Sequence, residues 1–144
     1  MVTHYLRRCA LLGLCSLALL GCSQTPSPSL YQQLGAEEGI TQIVDGLLFE
    51  IEHDDRIVHH FADTDIPRFR RLLAEQLCEL SGGPCQYSGG TMQESHRGFN
   101  ISLADYDALV EGLIKVMQRQ GIGISAQNQL LGLLAPMYSD ISYR

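Results

Sequence analysis

Gly82-Gly83-Pro84-Cys85-Gln86-Tyr87-Ser88-Gly89-Gly90-Thr91-Met92-Gln93-Glu94-Ser95-His96 is the stretch on which the fold turns. Gly-Gly-Pro halts the apolar helix before it: glycine takes the left-handed conformation that closes a helix, and proline cannot continue one. Gly89-Gly90 makes a second turn, and a short helix begins at Thr91. The Thr91 hydroxyl can cap that helix while Glu94 reaches back, the two halves of a capping box. The spacing predicts that this helix delivers one histidine, His96, and ends at Gly98. A single histidine in a helical protein is either a surface or core residue or a ligand to metal or haem, and spacing alone leaves both readings open.

Working upstream, Asp65 and Pro67 open the preceding helix as cap and first-turn proline, and Ile66, Phe69, Leu72, Leu73, Leu77 and Leu80 give it an apolar face up to Gly82. Before it, Ile40, Ile43, Val44, Leu47, Leu48 and Ile51 recur at the i, i+3, i+4, i+7 spacing of one helix face over residues 37–53. Asp54-Asp55 starts the turn between the two. Downstream, Ser102 with Asp105 forms another capping box, followed by an apolar stripe through Leu103, Tyr106, Leu109, Val110, Leu113, Ile114 and Met117, broken by Gly121 and Gly123. Ser125 is expected to cap a last helix whose Leu130, Leu131, Leu133, Leu134 and Met137 are apolar on more than one side and so deeply buried; Pro136 ends or kinks it. No stretch alternates with period two. The expected class is all-α.

The string Gly82, Gly83, Pro84, Tyr87, Ser88, Gly89, Met92 and His96 resembles the segment that carries the proximal haem histidine in truncated haemoglobins of the first group. Leu30-Tyr31 with Leu34-Gly35, Asp54-Asp55-Arg56-Ile57 with Phe61, and residues 135–141 (Ala-Pro-Met-Tyr-Ser-Asp-Ile) resemble that family's other landmarks, in order. The resemblance runs from Leu30 to Ile141. It implies a two-over-two helical sandwich, the truncated globin fold, over residues 30–144. It also implies haem b with its iron held by His96, and oxygen, nitric oxide or carbon monoxide as ligands. One wall of the site would be the helix bearing Met92 and His96. The other would present Leu47, Leu48, Phe61, Phe69, Leu73 and Leu77, six side chains that serve equally as core.

Relatives of this kind keep a tyrosine before the Asp-Asp turn and polar residues in the helix before Gly-Gly-Pro, where they hydrogen-bond the iron's ligand. Here alignment on those landmarks puts Leu48 at the tyrosine position and Phe69 and Leu73 at the polar ones. The distal wall is therefore expected to be apolar, with Gln76 the one polar side chain near it. A donor to a polarised ligand is worth roughly 1.5–3 kcal/mol, so its loss speeds oxygen release about ten- to a hundredfold. This argues against a tuned oxygen store or an efficient nitric oxide dioxygenase. Two alternatives to a reversible ligand binder stand beside it: a haem enzyme consuming nitric oxide or peroxide, and a haem-free globin-like binding module. His53, His59 and His60 cluster near the turn at residues 54–61, where solvent exposure is expected.

The opening of the chain has a separate role. Arg7 and Arg8 precede an apolar run, Ala10 to Leu20, that is too short to span a membrane, and residues 1–21 read as an export signal. They end in Leu19-Leu20-Gly21-Cys22, which resembles the lipobox of bacterial lipoproteins, so Cys22 is the expected lipidation site. Ser23 in the next position resembles lipoproteins sent to the outer membrane. Residues 22–29, Cys-Ser-Gln-Thr-Pro-Ser-Pro-Ser, form the lipid-anchored polar tether. The expected address is a membrane-anchored domain facing the periplasm.

The whole chain has 10 basic and 16 acidic residues, a net charge of −6. Removing residues 1–21 takes away Arg7 and Arg8 and leaves 8 basic residues against 16 acidic, or −8. Such a domain lacks the clustered Lys and Arg that nucleic acid demands. Of the cysteines, Cys9 and Cys15 leave with the signal and Cys22 takes lipid, so Cys78 and Cys85 remain in an oxidising compartment. They are expected to pair across the Gly-Gly-Pro reversal, the alternative being two independent thiols.

Overall fold

The computed structural model describes residues 27–143; the signal, Cys22 and the first half of the tether lie outside them. Within that span the elements are α1 (Leu30–Gln33), α2 (Ala36–Glu52), a 3-10 turn (Val58–Phe61), α3 (Ile66–Leu80), α4 (Met92–Ser95), α5 (Leu103–Arg119), α6 (Ile124–Leu134), a second 3-10 turn (Ala135–Met137) and α7 (Tyr138–Ile141). No strand occurs among the described residues, and the one isolated bridge pairs Ile101 with Ser142. The chain is all-α.

Helix α2 is central, packing on α3 and on α5, while α5 packs on α6 and α1 on both α2 and α6. The periodic face of α2 accounts for this: Ile40, Ile43, Val44, Leu47 and Ile51 are all buried, meeting Leu77, Leu113, Val116, Met117 and Leu130 in one core. Two glycines set the α2–α5 crossing. A Cβ on Gly46 would lie 2.6 Å from Val116 Cγ1, and one on Gly112 would lie 3.4 Å from Leu47 Cδ1. Each helix thus takes the other's side chains against bare backbone, which brings the axes close.

The helix starts follow local chemistry. Asp65 accepts from the Arg68 N–H at the head of α3, and capping boxes close on Ser29/Gln32, Thr91/Glu94 and Ser102/Asp105. Three expectations need correction. Helix α6 begins at Ile124 with extended Gly123 in the cap position, so Ser125 lies in the first turn and caps nothing. Helix α4 stops at Ser95 and His96 is its C-cap (φ −110°, ψ 9°); Gly98 turns the chain two residues later, at φ 90°. And α6 is less buried than its leucines suggest: Leu130 is fully enclosed, but Leu133 is 39% and Ile124 75% exposed, because among the described residues no element covers its outer side.

Candidate functional site

Loop 82–91 hangs from α3 by three ties. Cys78 and Cys85 form a disulfide with Cα atoms 5.8 Å apart. The Gly83 N–H donates to Cys78 O at 2.8 Å. Glu75 accepts from the Ser88 hydroxyl at 2.6 Å and from its N–H at 3.0 Å, while Arg71 donates to the same hydroxyl oxygen at 2.9 Å. The Ser88 hydroxyl, then Arg71, hold the Glu75 carboxyl below its usual range. These ties fix where α4 begins, and α4 rests on α7.

His96 is half-buried just past the last turn of α4. Its Nδ1 lies 2.8 Å from Met92 O, a carbonyl that can only accept, so the proton sits on Nδ1. Nε2 then carries the free lone pair and has no hydrogen-bond partner among the described residues. That is the arrangement in which a neutral imidazole ligates a metal, its orientation set by the hydrogen bond on the other nitrogen. No group of three or more metal-ligating side chains occurs among the described residues, so a metal held here needs most of its ligands from elsewhere, as a porphyrin supplies them.

The walls are apolar and incompletely covered. Leu47 and Leu77 are buried, while Leu48, Phe61, Phe69, Leu73 and Met92 are only partly so. Phe61 and Phe69 meet edge to face at 5.4 Å, joining the turn after α2 to α3. The half-burial of these Leu and Phe side chains is the kind of apolar surface a flat macrocycle would cover, and the His96 Nε2 lone pair is of the kind its iron would take. The residues present therefore fit haem.

Gln76 points its amide at sulfur: Nε2 lies 3.2 Å from Met92 Sδ and 3.7 Å from Met137 Sδ. The residue on α3 thus reaches the residue whose carbonyl orients His96. No periodicity could have shown this, since the partners lie 16 and 61 positions away.

The histidines divide. His53 is exposed, stacks on Phe49 and has Nδ1 2.8 Å from Phe49 O. His59 is exposed and lies against His60 with the rings tilted by 39° and centroids 4.0 Å apart. His60 departs from the expected exposure: its side chain is 12% exposed, with Nε2 3.4 Å from Asp105 Oδ2 but too poorly aligned to count as hydrogen-bonded. The Asp105 carboxyl is held low chiefly by the Ser102 hydroxyl and N–H, with His60 a smaller contributor. His59, His60, Asp63 and Thr64 face Gly98 and Phe99 across an open concavity of about 240 Å³. The turn after α2 and the segment just past His96 form its two sides.

The family described as bacterial-like globin matches residues 29–143. A group 1 truncated hemoglobin of Nostoc commune is 34% identical over 100 residues, 69% of this chain and 83% of that protein. One from Tetrahymena pyriformis is 29% identical over 113 residues, 78% of this chain and 93% of that protein. The crystal structure of truncated hemoglobin from Tetrahymena pyriformis in its Fe(III) form superposes with a TM-score of 0.78 at 26% identity, covering 81% of this chain and all of that one.

Proposed function

Because this chain belongs to the bacterial-like globin family, we infer that it is a haem-binding globin that takes diatomic gases at an iron held by His96. What carries the assignment of His96 is its place, half-buried, at the end of the string 82–96 that resembles the family's proximal segment. Its tautomer, with Nδ1 bonded to Met92 O at 2.8 Å, leaves Nε2 free to ligate, an arrangement that exposed His53 shares with Phe49 O. Haem b, when bound, supplies an iron with one position open to a gas. Everything else is done by the chain. Leu47, Leu48, Phe61, Phe69, Leu73 and Leu77 exclude water from the opposing side, and Met92 lies along the wall that bears His96. Leu48, Phe69 and Leu73 have no hydrogen-bond donor in their side chains, and the Gln76 amide is engaged with two thioethers. A polarised ligand such as dioxygen therefore finds no partner from these residues and leaves quickly, whereas carbon monoxide and nitric oxide depend less on one. This favours reversible ligand binding over oxygen storage.

The address is read from residues 1–29 alone: an export signal, lipid on Cys22, and a short polar tether that holds the globin on the periplasmic side of a membrane, the outer membrane by the serine at position 23.

Hemin titration of the apo-protein tests the site. His96→Ala loses tight binding and the histidine-ligated spectrum, while His59→Ala and His60→Ala keep both. Unchanged affinity and spectrum in His96→Ala overturns the assignment.

A further inference from the structure

We propose that α6 is the face this globin turns toward the lipid bilayer, its exposed side lying against the head groups; the proposal rests on the lipid anchor at Cys22. The first argument is charge. Helix α2 carries five acidic side chains and α5 three against two basic ones, α3 sets three arginines against two glutamates with Arg70 and Arg71 paired to Asp45 and Glu75, and α6 carries no charge; residues 120–139 contain no Asp, Glu, Lys or Arg. A bilayer with anionic lipids has a negative surface potential that reaches about one Debye length, roughly 8–10 Å, into solution. A domain of net charge −8 is repelled on its acidic sides and not on this one.

The second argument is reach. The tether from Ser23 to Ser29 spans at most about 25 Å when fully extended, less than the diameter of roughly 35 Å expected for a domain of this length. The side on which it enters is therefore confined to within that distance of the membrane, while the opposite side is free to face away. It enters at α1, which is also free of charge (Leu-Tyr-Gln-Gln) and packs on α6.

The third argument is the pattern on α6. Its exposed side has the neutral amides Asn128 and Gln129 near the middle, with Ile124 and Leu133 half a turn apart at its two edges, 75% and 39% exposed. Neutral amides can exchange hydrogen bonds with phosphate and glycerol oxygens, and two apolar edges can settle at the head-group boundary. No described helix is long and apolar enough to cross a membrane, so the contact is peripheral.

The test uses the full chain, matured and lipidated, in vesicles of phosphatidylethanolamine and phosphatidylglycerol. With Cys22 acylated and Cys78 bonded to Cys85, an introduced cysteine is the one reactive thiol. Nitroxides are placed at Gln129→Cys and, as the distant control, Asp55→Cys, and their collisions with an aqueous nickel chelate are compared on vesicles and in detergent. The expected result is that the label at 129 loses most of its collisions on vesicles while the label at 55 keeps them. Adding Asn128→Asp beside the label restores the collisions without releasing the protein. Equal collisions at 129 and 55 on vesicles that do float the protein overturn the docking face and leave the anchor standing. Protein that neither floats nor shows lipid mass on Cys22 overturns both. Shielding at 129 that persists in detergent, together with a dimeric mass, assigns the face to a second copy of the chain and overturns the membrane reading.

Discussion

Reducing the Cys78–Cys85 bond is expected to lower the thermal midpoint of the apo-protein by about 10 °C. The bond joins residues seven apart and so closes a ring of about eight residues in the unfolded chain. Loop-closure entropy for a ring of that size is about 8 cal/mol/K, or about 2.5 kcal/mol at 25 °C. A domain of this length has an unfolding entropy of about 250 cal/mol/K near its midpoint, and dividing one by the other gives the shift. The folded state loses little, because the reversal keeps its Gly82 N–H to Glu79 O and Gly83 N–H to Cys78 O bonds, at 3.0 and 2.8 Å. The effect is thus placed in the unfolded ensemble, and it has a second signature: the denaturant m-value rises on reduction as that ensemble expands. Melts followed by far-ultraviolet circular dichroism with and without reductant, and of the Cys78→Ser/Cys85→Ser variant, give both quantities. A midpoint shift below about 2 °C with an unchanged m-value would refute the reasoning.

Leu48→Tyr places a phenol beside the ligand and slows oxygen dissociation by about one to two decades, the size of one hydrogen bond to a polarised partner, while carbon monoxide release changes far less. Slow oxygen release in the parent protein, abolished by Gln76→Leu, rejects the apolar distal wall. Stability falls on the acid side. The carboxyls of Asp45 (bonded to Arg70), Glu75 (to Ser88 and Arg71), Glu94 (to Thr91) and Asp105 (to Ser102) are all held below their ordinary values. Their contribution is whole above the unfolded carboxylate values near 4 and is lost as pH drops through the lower folded ones. The midpoint therefore declines below about pH 4; a flat profile between about pH 5 and 2 contradicts it.

What could be read from the sequence is what is local. Thr91 with Glu94, Ser102 with Asp105 and Asp65 with Arg68 lie within four residues of each other, so the chemistry that starts each helix is contained in a short string. The core face of α2 was legible for the same reason. The contacts that shape the site are of another kind. Gln76 reaching Met92 and Met137, Glu75 holding Ser88, and His60 set against Asp105 all join distant positions, and no pattern in one element specifies its partner in another. Gly123 in place of Ser125 as the α6 cap turned on a single extended residue, where local signals compete closely. The exposure of α6 escaped for a different reason: leucines on several sides of a helix mean deep burial only if something covers every side.

Helix α4 is one turn long, buries no side chain fully, and lies between the glycines at 89–90 and the left-handed Gly98. Such a segment opens at far smaller free energy than the α2–α3–α5 core. The disulfide and the Ser88 bonds mark where that opening stops on the upstream side. The segment from 89 to 98, held on its other side by α7 and by the Gln76 contact to Met92, is expected to open before that frame does. With the cofactor on His96 as proposed, its exchange is expected to track the hydrogen exchange of residues 92–98 rather than global unfolding.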